Sequence, residues 1–298
     1  MMKSRKKYSV IGIGEILWDL LPEGKKLGGA PANFAFHAKQ MGMNAGIISA
    51  VGDDMLGNEI IRIIRDKKLV DLIQTNQNPT GMVSVTLDDE GIPEYIIHED
   101  VAWDYTETTR DALNFAEKAD AICFGSLGQR SEKSRNTIRE ILKTAPSDAI
   151  KVFDINIRQH FYGPDLIQNS LSLANILKIN EEELILFSEM MDLNGNEIDL
   201  TGQILDAYQL DYLALTKGSQ GSWLFSQQNS SYIETPRVKV ADTVGAGDSF
   251  TAAMVAGLLY GLPIEEVHQL AVDVSAYVCT REGATPALPA DLLARLNI

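Results

Sequence analysis

The feature that most constrains this chain is a repeated alternation. A short, uniformly apolar run is followed by a stretch with helical periodicity, again and again. Residues 9–13, 45–51, 121–124, 151–155, 175–179 and 212–215 are such runs, each of strand length. Helix-length segments lie between them, the clearest at 31–40, with Pro31 in its first turn and Gly42 as its stop, and at 54–68. Strands without polar alternation must be covered on both faces, and crossovers of helix length join strands in parallel. The expected fold class is α/β, a mainly parallel sheet flanked by helices. No fixed-period repeat and no low-complexity linker marks a boundary, so 1–298 is expected to form a single domain. A chain of 298 residues can bury about three quarters of its unfolded surface and needs no disulfide or metal staple.

Two segments break the rhythm. Over 15–21, Glu15, Leu17, Asp19 and Leu21 alternate with Ile16, Trp18 and Leu20. Over 82–99, Val83, Val85 and Leu87 alternate with Ser84, Thr86 and Asp88, a turn is expected at 88–91, and 94–98 runs extended. Period-2 strands inserted in an α/β pattern predict a small separate β-sheet acting as a lid; the alternative is an edge hairpin of the main sheet.

A formal charge of −15 makes the chain a poor partner for nucleic acid or an anionic membrane, so any phosphate it handles must be held by local donors. Its longest apolar stretches, such as 252–260, fall well short of the ~18 residues of a membrane span. Lys3, Arg5, Lys6 and Lys7 precede only a short run at 8–13 closed by Gly14 and Glu15, which reads as a buried first strand, not a targeting segment. Cys123 and Cys279 cannot build a disulfide framework, and a reducing, cytoplasmic setting is expected. His37, His98, His160 and His268 do not pair with them at metal-ligand spacing.

The sharpest segment is Asp242-Thr-Val-Gly-Ala-Gly-Asp-Ser-Phe250, leading into small and apolar residues that stop at Gly261. Gly245 and Gly247 flank Ala246 where a helix starts. Glycines let successive N–H groups converge there, and the helix dipole adds partial positive charge, which together make an anion cradle. Asp248 sits in the first helical turn beside it, a position that ordinary helix capping also favours. A dinucleotide fingerprint fails on spacing: Gly12-Ile-Gly14 has Leu17 where a third glycine is needed, and Gly245-Ala-Gly247 has Phe250.

These residues, with four further segments in matching order, resemble the ribokinase-like (PfkB) carbohydrate kinase family. The segments are Gly12-Ile-Gly-Glu15 with Asp19, Gly28-Gly-Ala-Pro-Ala-Asn33, Asn180-Glu-Glu-Glu183 and Thr216-Lys-Gly-Ser-Gln-Gly221, and the likeness spans essentially the whole chain. Within the family, Phe124-Gly-Ser-Leu-Gly-Gln-Arg130, Asp154-Ile-Asn-Ile-Arg158 and Thr280-Arg-Glu-Gly-Ala-Thr-Pro286 are most similar to the fructokinase branch.

The resemblance implies an ATP-dependent sugar kinase, with D-fructose as the expected substrate and 2-keto-3-deoxygluconate or another sugar as the alternative. In that reading Gly245, Ala246 and Gly247 cradle the charge on the transferred phosphoryl group. Asp248 takes the proton of the attacking hydroxyl, although a carboxylate at a helix N-terminus is a weak base at rest. Asp19, Gly28, Gly29 and Asn33 bind the sugar, and Arg158 reaches the sugar or the transferring phosphoryl group. Gly28-Gly29 before Pro31 would equally start a helix, and an arginine is commonly a surface ion-pair partner; Arg158 is the basic residue that can be placed at the sugar. Asn180 and Glu183 have the spacing of a capping box, while the resemblance gives Glu183 a role at Mg²⁺ through water. Thr216, Gly218 and Gly221 satisfy turn chemistry, and in the family that loop follows the nucleotide phosphates. Asp242 with 281–284 resembles a monovalent-cation loop, for K⁺. The expected partners are ATP and the sugar, with a homodimer through the lid.

Overall fold

All six apolar runs are strands of one sheet. The computed structural model describes residues 6–21, 24–87 and 93–296, so the turn expected at 88–91 lies outside the described residues. In chain order the strands are β1 (Ser9–Ile13), β2 (Leu17–Leu21), β3 (Gly24–Gly28), β4 (Asn44–Gly52), β5 (Val70–Asn76), β6 (Gly81–Leu87), β7 (Pro93–Ile97), β8 (Ala121–Phe124), β9 (Ile150–Asp154), β10 (Ile176–Asn180), β11 (Tyr212–Thr216), β12 (Ser222–Ser226) and β13 (Ser230–Ile233). The large sheet runs β13-β12-β11-β10-β9-β8-β1-β4-β5. It is parallel from β5 to β11, and β12 and β13 extend it as antiparallel edge strands.

Ten α-helices cover it among the described residues: α1 (Ala30–Gln40), α2 (Met55–Asp66), α3 (Arg110–Ala116), α4 (Glu132–Thr144), α5 (Pro164–Leu171), α6 (Glu181–Met190), α7 (Glu197–Tyr208), α8 (Ala246–Leu259), α9 (Ile264–Cys279) and α10 (Ala290–Ala294). Successive strand residues point to opposite faces, and the core divides accordingly. Val10, Ile47, Cys123, Val152 and Ala214 pack with Phe34 of α1, Ile60 of α2 and the apolar body of α8 and α9. Ile11, Ile13, Ile48, Phe124 and Phe153 pack on the other face with Ile138 of α4, Ile167 of α5, Phe187 of α6 and Ile204 of α7. Helix α8 is buried continuously from Ser249 to Gly257, because it lies between the sheet face and its neighbours α1 and α9.

The period-2 segments form a separate four-stranded sheet, β3-β2-β6-β7, parallel between β2 and β6 and otherwise antiparallel. The expectation of a small separate sheet is met and the edge-hairpin alternative is not. Its inner face has a small core of its own, Leu17, Val83 and Ile97 against Val101, Trp103, Leu127 and Phe161. Sequence pattern missed β3, whose Gly24-Lys25-Lys26 has little strand propensity. Pairing with β2 supplies what propensity lacks, and Lys25 lies over the Trp18 ring at 4.5 Å.

Candidate active site

A parallel sheet delivers the C-terminal ends of its strands to one edge, where ligands of open α/β sheets bind. Here that edge carries Glu15 after β1, Leu127 after β8, Asn156 and Arg158 after β9, Asn180 at the end of β10 and Thr216 at the end of β11. The lid residues Asp19, Lys26 and Gly28 face them across a cleft of about 1580 Å³, and the N-terminus of α8 closes its floor with Gly245, Gly247 and Asp248. Sequence motifs from Glu15 to Asp248 thus converge on one cavity.

Gly245 is the N-cap of α8, with φ of 77°. That left-handed conformation suits glycine, and a Cβ there would also stand 2.6 Å from the Ala284 carbonyl oxygen. The close packing of the 281–284 loop on Gly245 is what aims the first N–H groups of α8 into the cleft. Asp242 ties the same loop down: Oδ1 accepts from the Val244 N–H at 3.1 Å and Oδ2 from the Gly283 N–H at 3.0 Å. Burial alone would raise the Asp242 carboxyl; those two N–H groups and Lys26 outweigh it and hold it below the usual aspartate value.

Asp248, in the first turn of α8, accepts a hydrogen bond from Asn33 Nδ2 at 2.8 Å. That contact exists because α1 and α8 pack side by side on the same sheet face. The sequence led us to expect a weak base. Instead burial, reinforced by the nearby Asp154 charge, pushes Asp248 up to about 6, against the pull of Asn33, Lys178 and Arg158. Burial outweighs the helix dipole because the carboxylate is held away from bulk water, and a base titrating just below neutral pH is well matched to proton abstraction.

In the sugar half, a Cβ on Gly28 would fall 2.4 Å from Asp19 Oδ2, so this glycine is what admits the Asp19 carboxylate. Burial raises Asp19, while Arg158 and Lys26 draw it back down. Gly29 is the N-cap of α1, and its carbonyl accepts the Asn33 N–H at 3.0 Å; the helix-start reading of Gly28-Gly29 is met, and both glycines line the cleft. Arg158 is exposed and lines the cleft. It is not alone, as the sequence suggested: Lys26 and Lys178 line the same cavity.

In the other half, Thr216, Lys217, Gly218 and Ser219 face Val244 and Thr243. Lys217 is committed to Glu197 at 2.6 Å and Glu181 at 3.5 Å. Gly221 is buried against Tyr232 and Ile233 and does not reach the cleft, nor does the Ala246 side of the α8 turn. Glu183 is also set back. It completes the capping box with Asn180, its Oε2 accepting the Asn180 N–H at 2.9 Å, and its Oε1 takes the Ile157 N–H at 2.9 Å. Both oxygens are therefore engaged, and among the described residues no group of three or more His, Cys, Asp or Glu side chains could hold a metal ion. This donor set fits Mg²⁺ carried on nucleotide phosphates with its own waters, a common arrangement for that ion, and not a protein cage.

Two buried groups escaped the sequence motifs as site residues. Glu15 is 3% exposed, with Oε1 accepting the Ala30 N–H at 3.3 Å and Oε2 without a hydrogen-bond partner. Burial pushes it up to about 7, helped by the Asp248 charge. Lys178 interrupts the apolar run 175–179, and a charge inside a parallel strand was the signal that could have found it.

The pfkB family carbohydrate kinase profile matches residues 23–291. A fructokinase of Salmonella typhimurium is 32% identical over 301 residues, covering 93% of this chain and 95% of its own length. The crystal structure of an uncharacterized sugar kinase from Pyrococcus horikoshii in complex with ATP superposes with a TM-score of 0.80 at 27% identity, over 97% of this chain and 99% of that one. A 2-dehydro-3-deoxygluconokinase from Thermotoga maritima superposes with a TM-score of 0.85 at 18% identity, over 98% of each chain, which is a likeness of fold alone. With the match running through both halves of the cleft, this chain belongs to the pfkB family of carbohydrate kinases, phosphotransferases with an alcohol group as acceptor.

Proposed function

We propose that the protein transfers the γ-phosphoryl group of ATP to a hydroxyl of D-fructose, with Asp248 as the base. The observation that carries this reading is the Asp248 carboxyl itself, raised to about 6, hydrogen-bonded by Asn33 and set beside the N-terminal N–H groups of α8. Phosphoryl transfer asks little covalent work of a protein and much positioning. The sugar hydroxyl oxygen bonds to the γ-phosphorus, its proton passes to Asp248, and the bond to the β-phosphate oxygen breaks with its electron pair left on ADP. The α8 N-terminus stabilises charge on the transferring group. Asp19 and Asn33 are short, fixed partners for sugar hydroxyls, and the lid closes over them to keep water out. Asn180 and the α6 N-terminal acids Glu181 and Glu182 line this half of the cleft and would hold the waters of a Mg²⁺ carried by the nucleotide, which would supply charge neutralisation at the phosphates. K⁺ near Asp242 and a homodimer through the lid belong to the same reading.

A second substrate, a sugar acid such as 2-keto-3-deoxygluconate, is favoured by one observation: Lys26 and Arg158 both stand close enough to Asp19 to pull on its charge. ATP consumption measured across fructose, other hexoses, pentoses, sugar acids and nucleosides decides between them. Fructose should give the highest kcat/KM. If the sugar acid exceeds it, the fructose assignment falls and the kinase stands. Asp248→Asn should lose about 10²–10⁴-fold in kcat while calorimetry finds ATP binding within a few-fold of the parent; retention of a tenth of kcat would remove Asp248 from the base role.

A further inference from the structure

The phosphoryl-transfer chemistry above uses no buried cation, yet the site contains one. Lys178 is 7% exposed, lines the cleft, and lies on β10, between β9 and β11 in the sheet and two residues before Asn180. Its ammonium lies 3.1 Å from Asp154 Oδ1, and Asp154 is steadied from its other oxygen by the Thr251 hydroxyl of α8 at 2.9 Å. A lysine ammonium has three donors, and the ion pair with Asp154 engages one of them. The second observation is steric. A Cβ on Gly247 would stand 3.1 Å from Lys178 Nζ, so the ammonium lies against the last glycine of the turn, in the first turn of α8, in space left open because residue 247 has no side chain. Carboxylates Asp154, Glu183 and Asp248 all face it and keep it charged despite its burial. Its charge is thus held at the α8 N-terminus, where the positive end of the helix dipole already points.

We propose that Lys178 is a catalytic residue of the transfer step, its ammonium contacting an oxygen of the phosphoryl group in flight through the gap left at Gly247. This rests on the reading of α8 as the phosphoryl cradle. The bonds made and broken are those already given: Lys178 keeps its proton and forms no covalent bond, and it offsets negative charge that appears on the equatorial oxygens. A fixed donor that engages the transition state more than the ground state lowers kcat when removed and leaves KM nearly alone.

The test uses the full chain with ATP and its best sugar. Lys178→Met should lower kcat by about 10²–10³-fold, the loss typical for one fixed donor to a developing charge, with both KM values within about fivefold. Removing the lysine also strands the buried Asp154 carboxylate, so the double variant Lys178→Met/Asp154→Asn is measured beside it. A merely structural ion pair predicts that the double variant recovers activity; that recovery, or a Lys178→Met enzyme with a tenth of parental kcat, or a raised KM for ATP at unchanged kcat, overturns the proposal. A folded double variant that remains at least 10²-fold slow with near-normal KM values supports it. Asp248→Asn run in parallel separates the two assignments: an active Asp248→Asn enzyme removes the base, whereas the Lys178 outcome is read from its own pair of variants.

Discussion

The hydrogen bond from Asn33 to Asp248 should set the acid limb of the pH profile. Its donor is a neutral amide and its acceptor is the carboxylate, so it stabilises the ionised form; deleting the amide must raise the pKa of Asp248. A hydrogen bond to a charged group contributes about 1.5–3 kcal/mol, and a tenfold change in the protonation equilibrium corresponds to about 1.4 kcal/mol. Truncating Asn33 leaves room for a single water to replace part of the lost bond, so the lower end applies: a rise of about one pH unit. Parental kcat/KM should fall below about pH 6, where Asp248 takes up its proton. In Asn33→Ala that midpoint should lie near 7. The other charges facing Asp248 are Asp154 on β9, Lys178 on β10, Arg158 after β9 and Glu15 after β1, and all of them remain in the variant. The assay is kcat/KM for the sugar between pH 5 and 9, expressed as the ratio of parent to variant. Any lost sugar contact or packing scales that ratio equally at every pH, whereas the titration effect makes it grow by up to about tenfold from pH 8.5 to pH 5.5. A flat ratio would refute the idea that this bond tunes the base.

Two stability predictions concern buried groups that lie within the motif segments but were not expected as site residues. Glu15 titrates near 7 when folded against an ordinary 4.5, so the fold holds its proton more tightly than the unfolded chain; stability from this group is fully present below about 4.5 and is lost as pH rises through 7. Glu15→Gln removes that loss of about 3 kcal/mol, equivalent to about 5 °C for a chain of this length, so its melting temperature relative to the parent should climb between pH 4.5 and 8, and a pH-independent difference would contradict the burial argument. Arg130 is buried between the Trp103 and Phe161 rings, bonds both oxygens of Asp104 at 2.8 Å, and donates to the His98 carbonyl at 2.6 Å, which fastens the lid to the main body. Arg130→Met should cost about 3–5 kcal/mol by stranding Asp104, and Arg130→Met/Asp104→Asn should recover most of it in urea titrations; no recovery would mean that the ring stacking, not the charge pair, holds this joint.

What the sequence alone determined was local. Strand and helix follow from the apolar period, which is a property of neighbours along the chain, and so the six buried runs and α1 and α2 were legible to within a residue or two. The Gly245-Ala-Gly247 turn was legible for the same reason: glycine is favoured in the left-handed conformation found at 245, and the helix it opens is announced by the residues just after it. Asn180 with Glu183 likewise formed the capping box its spacing specifies. Tertiary structure decided everything that depends on which strand lies beside which. Strand β3 exists because β2 offers it a partner, not because Gly24, Lys25 and Lys26 prefer to be extended. Asp248 became a stronger base than its helix position implied because packing of α1 against α8 and burial beside Asp154 set its surroundings, and solvation depends on all the chain that encloses a group. Lys178 and Asp154 meet because β9 and β10 are neighbours in the sheet, 24 residues apart in the chain but paired in register at these two positions. A one-dimensional pattern carries the period of an element; it does not carry the order of strands, and the charge environment of a cleft built from five strand ends is fixed only once that order is.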